Sequence, residues 1–308
     1  MTTFLQALIS GLGIGSVYAI IAVSFVVIYR ATGVLNFAQP ALFILGSFAT
    51  SAFAVDAGIP FFVAVPLAMI VVGLLSAGVE RIAIRPMVGR PVFSTAIVTI
   101  GLFIALLIVA FRLFDSRPRT VGDPWQLNSL CLGGDASAGG CAGGVLVYEN
   151  TIARIVIAVV VLTVLVLWLG RSRLGLAMRA TSFDQEIALA QGVNVGRVFS
   201  IAWAIGGGLA ALGGVLLAAN GGVVQATDAL FSLVVLPAII IGGLDSLKGG
   251  IVGGLVVGLV AALTSAYQPI HAPWLGPNFE NVAPYLVMII VLLVRPYGIF
   301  GTREVQRL

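Results

Sequence analysis

Charge is scarce in this chain. Only 9% of its 308 residues are Asp, Glu, Lys or Arg, where a water-soluble domain carries about 25%. Such a chain cannot cover a surface that faces water. Histidine and lysine each occur once, as His271 and Lys248, and cysteine twice, as Cys131 and Cys141. These shortages exclude most chemistry. A phosphate-binding loop, G-x-x-x-x-G-K-[ST], needs its lysine on the phosphate and its hydroxyl on the metal. Lys248 is followed by Gly249 and lacks the preceding glycine spacing. His271, in PIHAPWLGPNF, reads as an interfacial residue, and two cysteines in one loop make no zinc site. No catalytic or metal constellation is visible. The net charge of +4 reads as membrane topology and not as a nucleic-acid footprint.

What is present is apolar: 60% of the residues. In lipid every backbone N–H and C=O has to be satisfied internally, which leaves helices or closed barrels. The apolar runs are long and do not alternate at period two, so the expected fold is all-α, a polytopic transmembrane bundle. Nine candidate spans fall at 4–28, 36–54, 60–79, 92–111, 152–169, 199–219, 229–243, 250–267 and 283–294. The seventh and ninth are short enough to be tilted or re-entrant pieces, so the expectation is eight to nine spans. Residues 1–29 contain no Lys or Arg, so the first run lacks the basic start of a signal peptide and reads as a retained helix.

The positive-inside rule orients the bundle. With the N-terminus outside and the C-terminus inside, 12 of the 16 basic residues are cytoplasmic, including Arg81, Arg85, Arg90, Arg171, Arg173, Arg179 and Arg197. Arg112, Arg117, Arg119 and Arg154 stay outside. The longest loop, about 112–151, is then external and holds Cys131 and Cys141 in CLGGDASAGGC. They form either a disulfide clip, which an oxidising compartment permits, or two unpaired thiols. Gly11, Gly13, Gly15, Gly206–Gly208, Gly213, Gly214 and the Gly249–Gly258 group lie in or beside apolar spans. Small residues at four-residue spacing let helix backbones approach closely; they also mark places where a transporter bends.

The most informative stretch is the loop at about 170–198, GRSRLGLAMRATSFDQEIALAQGVNVGRV, which is long for a connector. Ser182 with Gln185 three residues on has the capping-box pattern. Asp184 and Glu186 fall in the first turn, where the helix dipole favours acids. Ile187 and Ala188 give an apolar face, and Gly192 stands where a left-handed glycine would stop the helix. A short capped amphipathic helix is expected, and it suits either docking on a soluble partner or lying on lipid headgroups held by its arginines.

Three segments carry a family resemblance: GSVYAIIAVSFVVIYRATGVLNFAQP at 15–40, RATSFDQEIALAQGVN at 179–194 and GGLDSLKGGIVGG at 242–254. In this order the chain resembles the permeases of branched-chain amino-acid ABC importers, the smaller of the two partner permeases. The resemblance spans nearly the whole chain and implies a single permease domain over 1–308 in a bacterial cytoplasmic (inner) membrane. It implies that the helix at about 182–192 couples to an ATPase, with Ser182, Asp184, Glu186, Ala188 and Gly192 at the matching positions. It further implies a second related permease, two ATPase subunits that bind ATP and Mg, and an extracytoplasmic solute-binding protein. No cofactor is expected in this chain. Two positions depart from the family pattern: Pro40 follows Asn-Phe-Ala-Gln where glycine is usual, and Asp245 stands where glycine is common.

Polar residues at membrane depth face a pathway or a partner. Asn36 and Gln39 open the second span, with Pro40 in its first turn, and Gln225 and Asp228 lie in the break before the seventh, which Pro237 interrupts. These four are the candidate pathway residues, with ordinary interface polarity as the other reading. An ion-coupled carrier would show carboxylates at mid-depth, whereas Glu80, Asp228 and Asp245 map near span ends. An assembly protein without transport leaves the long capped loop and the broken spans unexplained, and a channel is a weaker third alternative. Urea or short amides are the main alternative solutes to branched-chain amino acids.

Overall fold

The structure, a computed structural model, describes residues 2–87, 89–114, 117–125, 128–137, 140–183, 185–219, 223–225, 228 and 234–302. Its α-helices are α1 Thr2–Thr32, α2 Gln39–Ser51, α3 Phe61–Val79, α4 Val92–Phe114, α5 Glu149–Arg171, α6 Arg173–Phe183, α7 Gln185–Ala190, α8 Val195–Ala218, α9 Leu236–Gly242, α10 Leu247–His271 and α11 Ala283–Val294. Six helical stretches among the described residues are long and apolar enough to cross a membrane: Thr2–Thr32, Phe61–Met87, Phe93–Phe114, Glu149–Arg171, Val195–Ala218 and Leu247–His271. The other three runs make shorter helices. α2 has 13 residues, every one buried, and continues as a π-helical turn over Ala52–Asp56. α11 has 12 residues. α9 has only 7, and Pro237 sits in its first turn, where a missing N–H is harmless, so the proline starts this helix and does not break it.

The chain divides into two compact units. The first comprises 1–22, 125–160 and 234–308. Here α10 uses two rows of glycine. Gly254 and Gly258 lie against Ala19 and Gly15 of α1, and Gly249 and Gly253 lie against Gly242 and Ala238 of α9, so close that an added methyl would strike backbone. Without a hydrophobic drive between helices in lipid, such close backbone approach supplies the packing. Ser246 caps α10, its Oγ accepting from Gly249 N at 3.1 Å. The C-terminal turn is pinned to α9: Ile299 N donates to Ile241 O at 2.8 Å and Phe300 N to Gly242 O at 3.0 Å. Asp245 accepts from the backbone N of Thr302 at 3.2 Å and from its hydroxyl. Opposite the sequence expectation of a plain loop, this unit also holds a small ribbon. Strands β1 Ser129–Leu132, β2 Asp135–Ser137, β3 Gly140–Ala142 and β4 Val145–Tyr148 pair antiparallel as β1 with β4 and β2 with β3. The Gln6 side chain of α1 clamps β4, donating to Leu146 O at 2.7 Å and accepting from Leu146 N at 2.9 Å.

The second unit comprises 23–124 and 161–233. Its centre is α8, flanked by α2 and α3. Phe43, Phe48 and Trp203 are its largest fully buried side chains, followed by aliphatic ones such as Ile28, Leu42, Ile44 and Leu216. Asn194 caps α8, accepting from Arg197 N at 3.0 Å. Outward side chains of α3 and α4 are apolar and exposed: Phe62, Ile70, Leu74, Phe93, Ile104 and Leu113. Water would exclude such a surface; lipid accepts it.

Candidate functional site

Three parts of the second unit carry the sequence-derived coupling and pathway residues. The first is the start of α2. Asn36 and Gln39 are 2% and 1% exposed and form one network. Asn36 Nδ2 donates to Gln39 Oε1 at 3.0 Å, and Gln39 Nε2 donates to Ser24 Oγ at 2.9 Å and to Gly206 O at 3.2 Å. Asn36 Oδ1 accepts from Ala38 N at 2.9 Å, and Phe37 N donates to Thr99 Oγ1 at 3.1 Å. Gly206 stands about 16 Å along α8 from Val195 at 1.5 Å per residue. α2 therefore begins deep within the unit, as a broken helix with its N-terminus inside the protein. Pro40 is in its first turn, which gives this departure from the family pattern a local reason.

The second part is the 170–198 loop. It contains two helices where the sequence predicted one. α6 begins at Ser172, whose Oγ accepts from Gly175 N at 3.0 Å, and the chain turns sharply because Gly175 lies directly on Leu169 O. The expected N-cap at Ser182 is not there. Ser182 lies inside α6, and its hydroxyl donates back to Arg179 O at 3.0 Å, the local bond that lets a serine sit within a helix. Asp184 lies outside the described residues. α7 carries Glu186 on an exposed face and buries Ala188. Its end follows the expectation: Gly192 has φ +80°, Val193 N donates to Ala188 O at 3.0 Å and Gly192 N to Leu189 O at 2.9 Å, the paired bonds of a Schellman turn.

Between α6 and α7 lies an apolar groove of about 350 Å³, lined by Leu176, Arg179, Phe183, Ile187, Gln191 and Val193 among others. Phe183 is 84% exposed and Leu189 56%. Sequence reasoning missed α6 and this groove; Ser172 followed by RLGLAMRA was the available signal.

Gln225 and Asp228 bond to one another. Gln225 N donates to Asp228 Oδ2 at 2.7 Å and Asp228 N to Gln225 O at 3.0 Å. Beside them Val224 bridges Arg119, whose guanidinium meets Asp56 at 2.8 Å. Asp56 ends the helical run that Gln39 starts, about 25 Å away at 1.5 Å per residue. The structure thus brings Asn36 to Gln39 and Gln225 to Asp228 but leaves the two pairs apart. In the other unit, Cys131 and Cys141 are joined by a disulfide with Cα atoms 5.4 Å apart. Among the described residues no group of three or more His, Cys, Asp or Glu gathers as a metal site.

Glycine-packed apolar helices, one of them broken at depth, define a multi-pass membrane protein of transporter type. The family described as "Branched-chain amino acid transport system / permease component" matches residues 7–292, and the chain belongs to it. The high-affinity branched-chain amino acid transport system permease protein BraD of Pseudomonas aeruginosa is 30% identical over 99% of this chain and 98% of its own. LivH of Escherichia coli (strain K12), named likewise, is 27% identical over 99% and 97%. A probable LivH of Methanocaldococcus jannaschii is 27% identical over 94% and 90%. These relatives are named as transport permeases. PsaBC from Streptococcus pneumoniae, solved in complex with a Fab, matches 96% of this chain with a TM-score of 0.50 at 18% identity, a likeness of fold.

Proposed function

We propose that this chain is the membrane-spanning permease subunit of an ATP-driven importer that moves branched-chain amino acids into the cell. The observation that carries this reading is the family match from residue 7 to residue 292. The chain works as one permease domain in the bacterial cytoplasmic membrane, with its N-terminus outside and its C-terminus inside. The basic-residue bias supports that orientation. A second related permease, two ATPase subunits that hold ATP and Mg, and an extracytoplasmic binding protein complete the importer.

In this reading the α6–α7 surface docks on the ATPase. Exposed Phe183, Ile187 and Leu189 supply apolar contact, Ser182, Asp184 and Glu186 stand on the docking segment, and Ala188 and Gly192 hold the α7 end in shape. Asn36 and Gln39 are the polar lining of the passage, closed upon one another in this conformation, and Gln225 and Asp228 lie near its outer mouth. The test is uptake into proteoliposomes carrying the co-purified complex, with ATP inside and binding protein outside. Radiolabelled leucine should enter only with ATP, and isoleucine and valine should compete. Competition by urea or short amides alone would replace the solute class. Uptake driven by an ion gradient without any ATPase would overturn the importer itself.

A further inference from the structure

A buried ionic knot lies where α3 ends. There the helix widens into a π-helical turn, Glu80–Ile84, and then tightens into a 3₁₀ turn, Arg85–Met87. π-turns inside longer helices recur at functional sites. The Glu80 side chain is 0% exposed and that of Arg85 34%. Arg85 grips the carboxylate with two nitrogens, Nε to Oε1 at 3.2 Å and Nη2 to Oε2 at 3.0 Å. Its Nη2 also reaches Gly196 O at 2.7 Å and Ser200 Oγ at 2.6 Å, and the Ser200 hydroxyl donates to Glu80 Oε2. A methyl on Gly196 would press on the guanidinium at 3.2 Å.

Stability alone is a poor reason for this arrangement, because well-packed apolar residues commonly replace a buried ion pair without loss. Fixing a register is the best-attested use of such pairs. Gly196 and Ser200 belong to the first turns of α8, immediately after the Asn194 cap and the Schellman turn that ends α7. From the knot onward α3 and α8 run antiparallel with nothing between them. Ser76 Oγ donates to Trp203 O at 2.8 Å, a Cβ on Gly207 would meet Ser76 Cβ at 2.5 Å, and one on Gly73 would meet Ala204 O at 2.7 Å.

We infer that Glu80, Arg85 and Ser200 are positioning residues that make α3 move as one body with α8 when the α6–α7 surface is displaced. The inference rests on the coupling role proposed for that surface. The knot transmits the ATPase stroke into a membrane-spanning helix.

The test uses the reconstituted complex. The double variant E80M/R85M should lower solute taken up per ATP about tenfold, inside the usual range of coupling free energies, while solute-free ATP hydrolysis persists. Ser200→Ala, which removes one hydroxyl and no charge, should lower the same ratio by a smaller factor. Spin labels at Ile82→Cys and Arg197→Cys, both exposed positions, read the geometry directly. With the knot intact their separation should hold within about 2 Å between nucleotide-free and ATP-trapped states, the scale of small helix shifts, and with E80M/R85M it should change between states. A wild-type ratio of uptake to ATP in both E80M/R85M and Ser200→Ala overturns the inference alone. So does a clear change of label separation with the knot intact. Should E80M/R85M fail to assemble, Ser200→Ala with a wild-type ratio decides against the inference. A parent chain without ATP-driven uptake sinks the importer reading, and the inference with it.

Discussion

Replacing Gln39 by leucine tests whether the network at the start of α2 holds the broken helix in place. The change keeps the side chain's bulk and removes three hydrogen bonds, those to Asn36, Ser24 and Gly206. Inside membranes such bonds average about 0.6 kcal/mol each, which gives about 2 kcal/mol. A comparable share arises from what is left behind. Asn36 Nδ2 loses the partner it holds at 2% exposure, and stranding a buried polar group costs about 1–3 kcal/mol. Gly206 O lies within α8, and Ser24 makes further contacts, so neither adds a comparable penalty. The expected loss is about 3–5 kcal/mol on the same two counts. Thermal unfolding in mild detergent measures it, across Gln39→Leu, Asn36→Leu and the double variant. The double variant strands neither side-chain amide, and the Ala38 N it leaves without Asn36 Oδ1 is lost equally in Asn36→Leu, so it should be less destabilised than the sum of the singles by about 1 kcal/mol or more. An unchanged midpoint for Gln39→Leu, or strict additivity, would refute the reasoning.

Gly192→Val forces a β-branched residue to φ +80°, a strain of about 1–2 kcal/mol or more, and should release the ATPase on purification while membrane insertion persists. Glu186→Lys should separate ATP hydrolysis from uptake at the same surface; normal uptake in both variants would remove the coupling assignment. Among the described residues the Thr50 hydroxyl has no hydrogen-bond partner, at 0% exposure, so Thr50→Val should raise stability by about 1 kcal/mol, and a lower unfolding midpoint would count against it. Cys131→Ser with Cys141→Ser opens a disulfide of sequence separation 10. The ribbon should lose about 2–3 kcal/mol and be cut faster by protease added outside; an unaltered cleavage rate would show that the strands hold without it.

Length made some elements legible. The apolar runs at 4–28, 152–169 and 250–267 became Thr2–Thr32, Glu149–Arg171 and Leu247–His271, because an uninterrupted run about 20 residues long has few alternatives to a spanning helix. Composition could not show where a helix starts inside the protein. Nothing in ASN-PHE-ALA-GLN-PRO as a string says that Gln39 reaches Ser24 and Gly206, since both partners are distant in sequence. Capping was legible only in part. Gly192 is legible because few other residues accept its backbone angle, whereas Ser182 has the cap pattern in sequence but Ser172, Asn194 and Ser246 carry that role. A serine offers its hydroxyl equally to a cap or to the preceding turn, and the surrounding packing chooses.

The polar residues buried in the second unit point to one rule for reading such chains. Gln39 ties α2 to α1 and α8, Ser76 ties α3 to α8, and Glu80 with Arg85 ties the end of α3 to the start of α8. The glycines allow these helices to touch, but a smooth glycine face specifies no single register. One polar knot per interface does, since any slip would strand its groups in an apolar interior. The two departures from the family pattern obey the same logic, Pro40 in the first turn of α2 and Asp245 holding Thr302. Both act on backbone geometry.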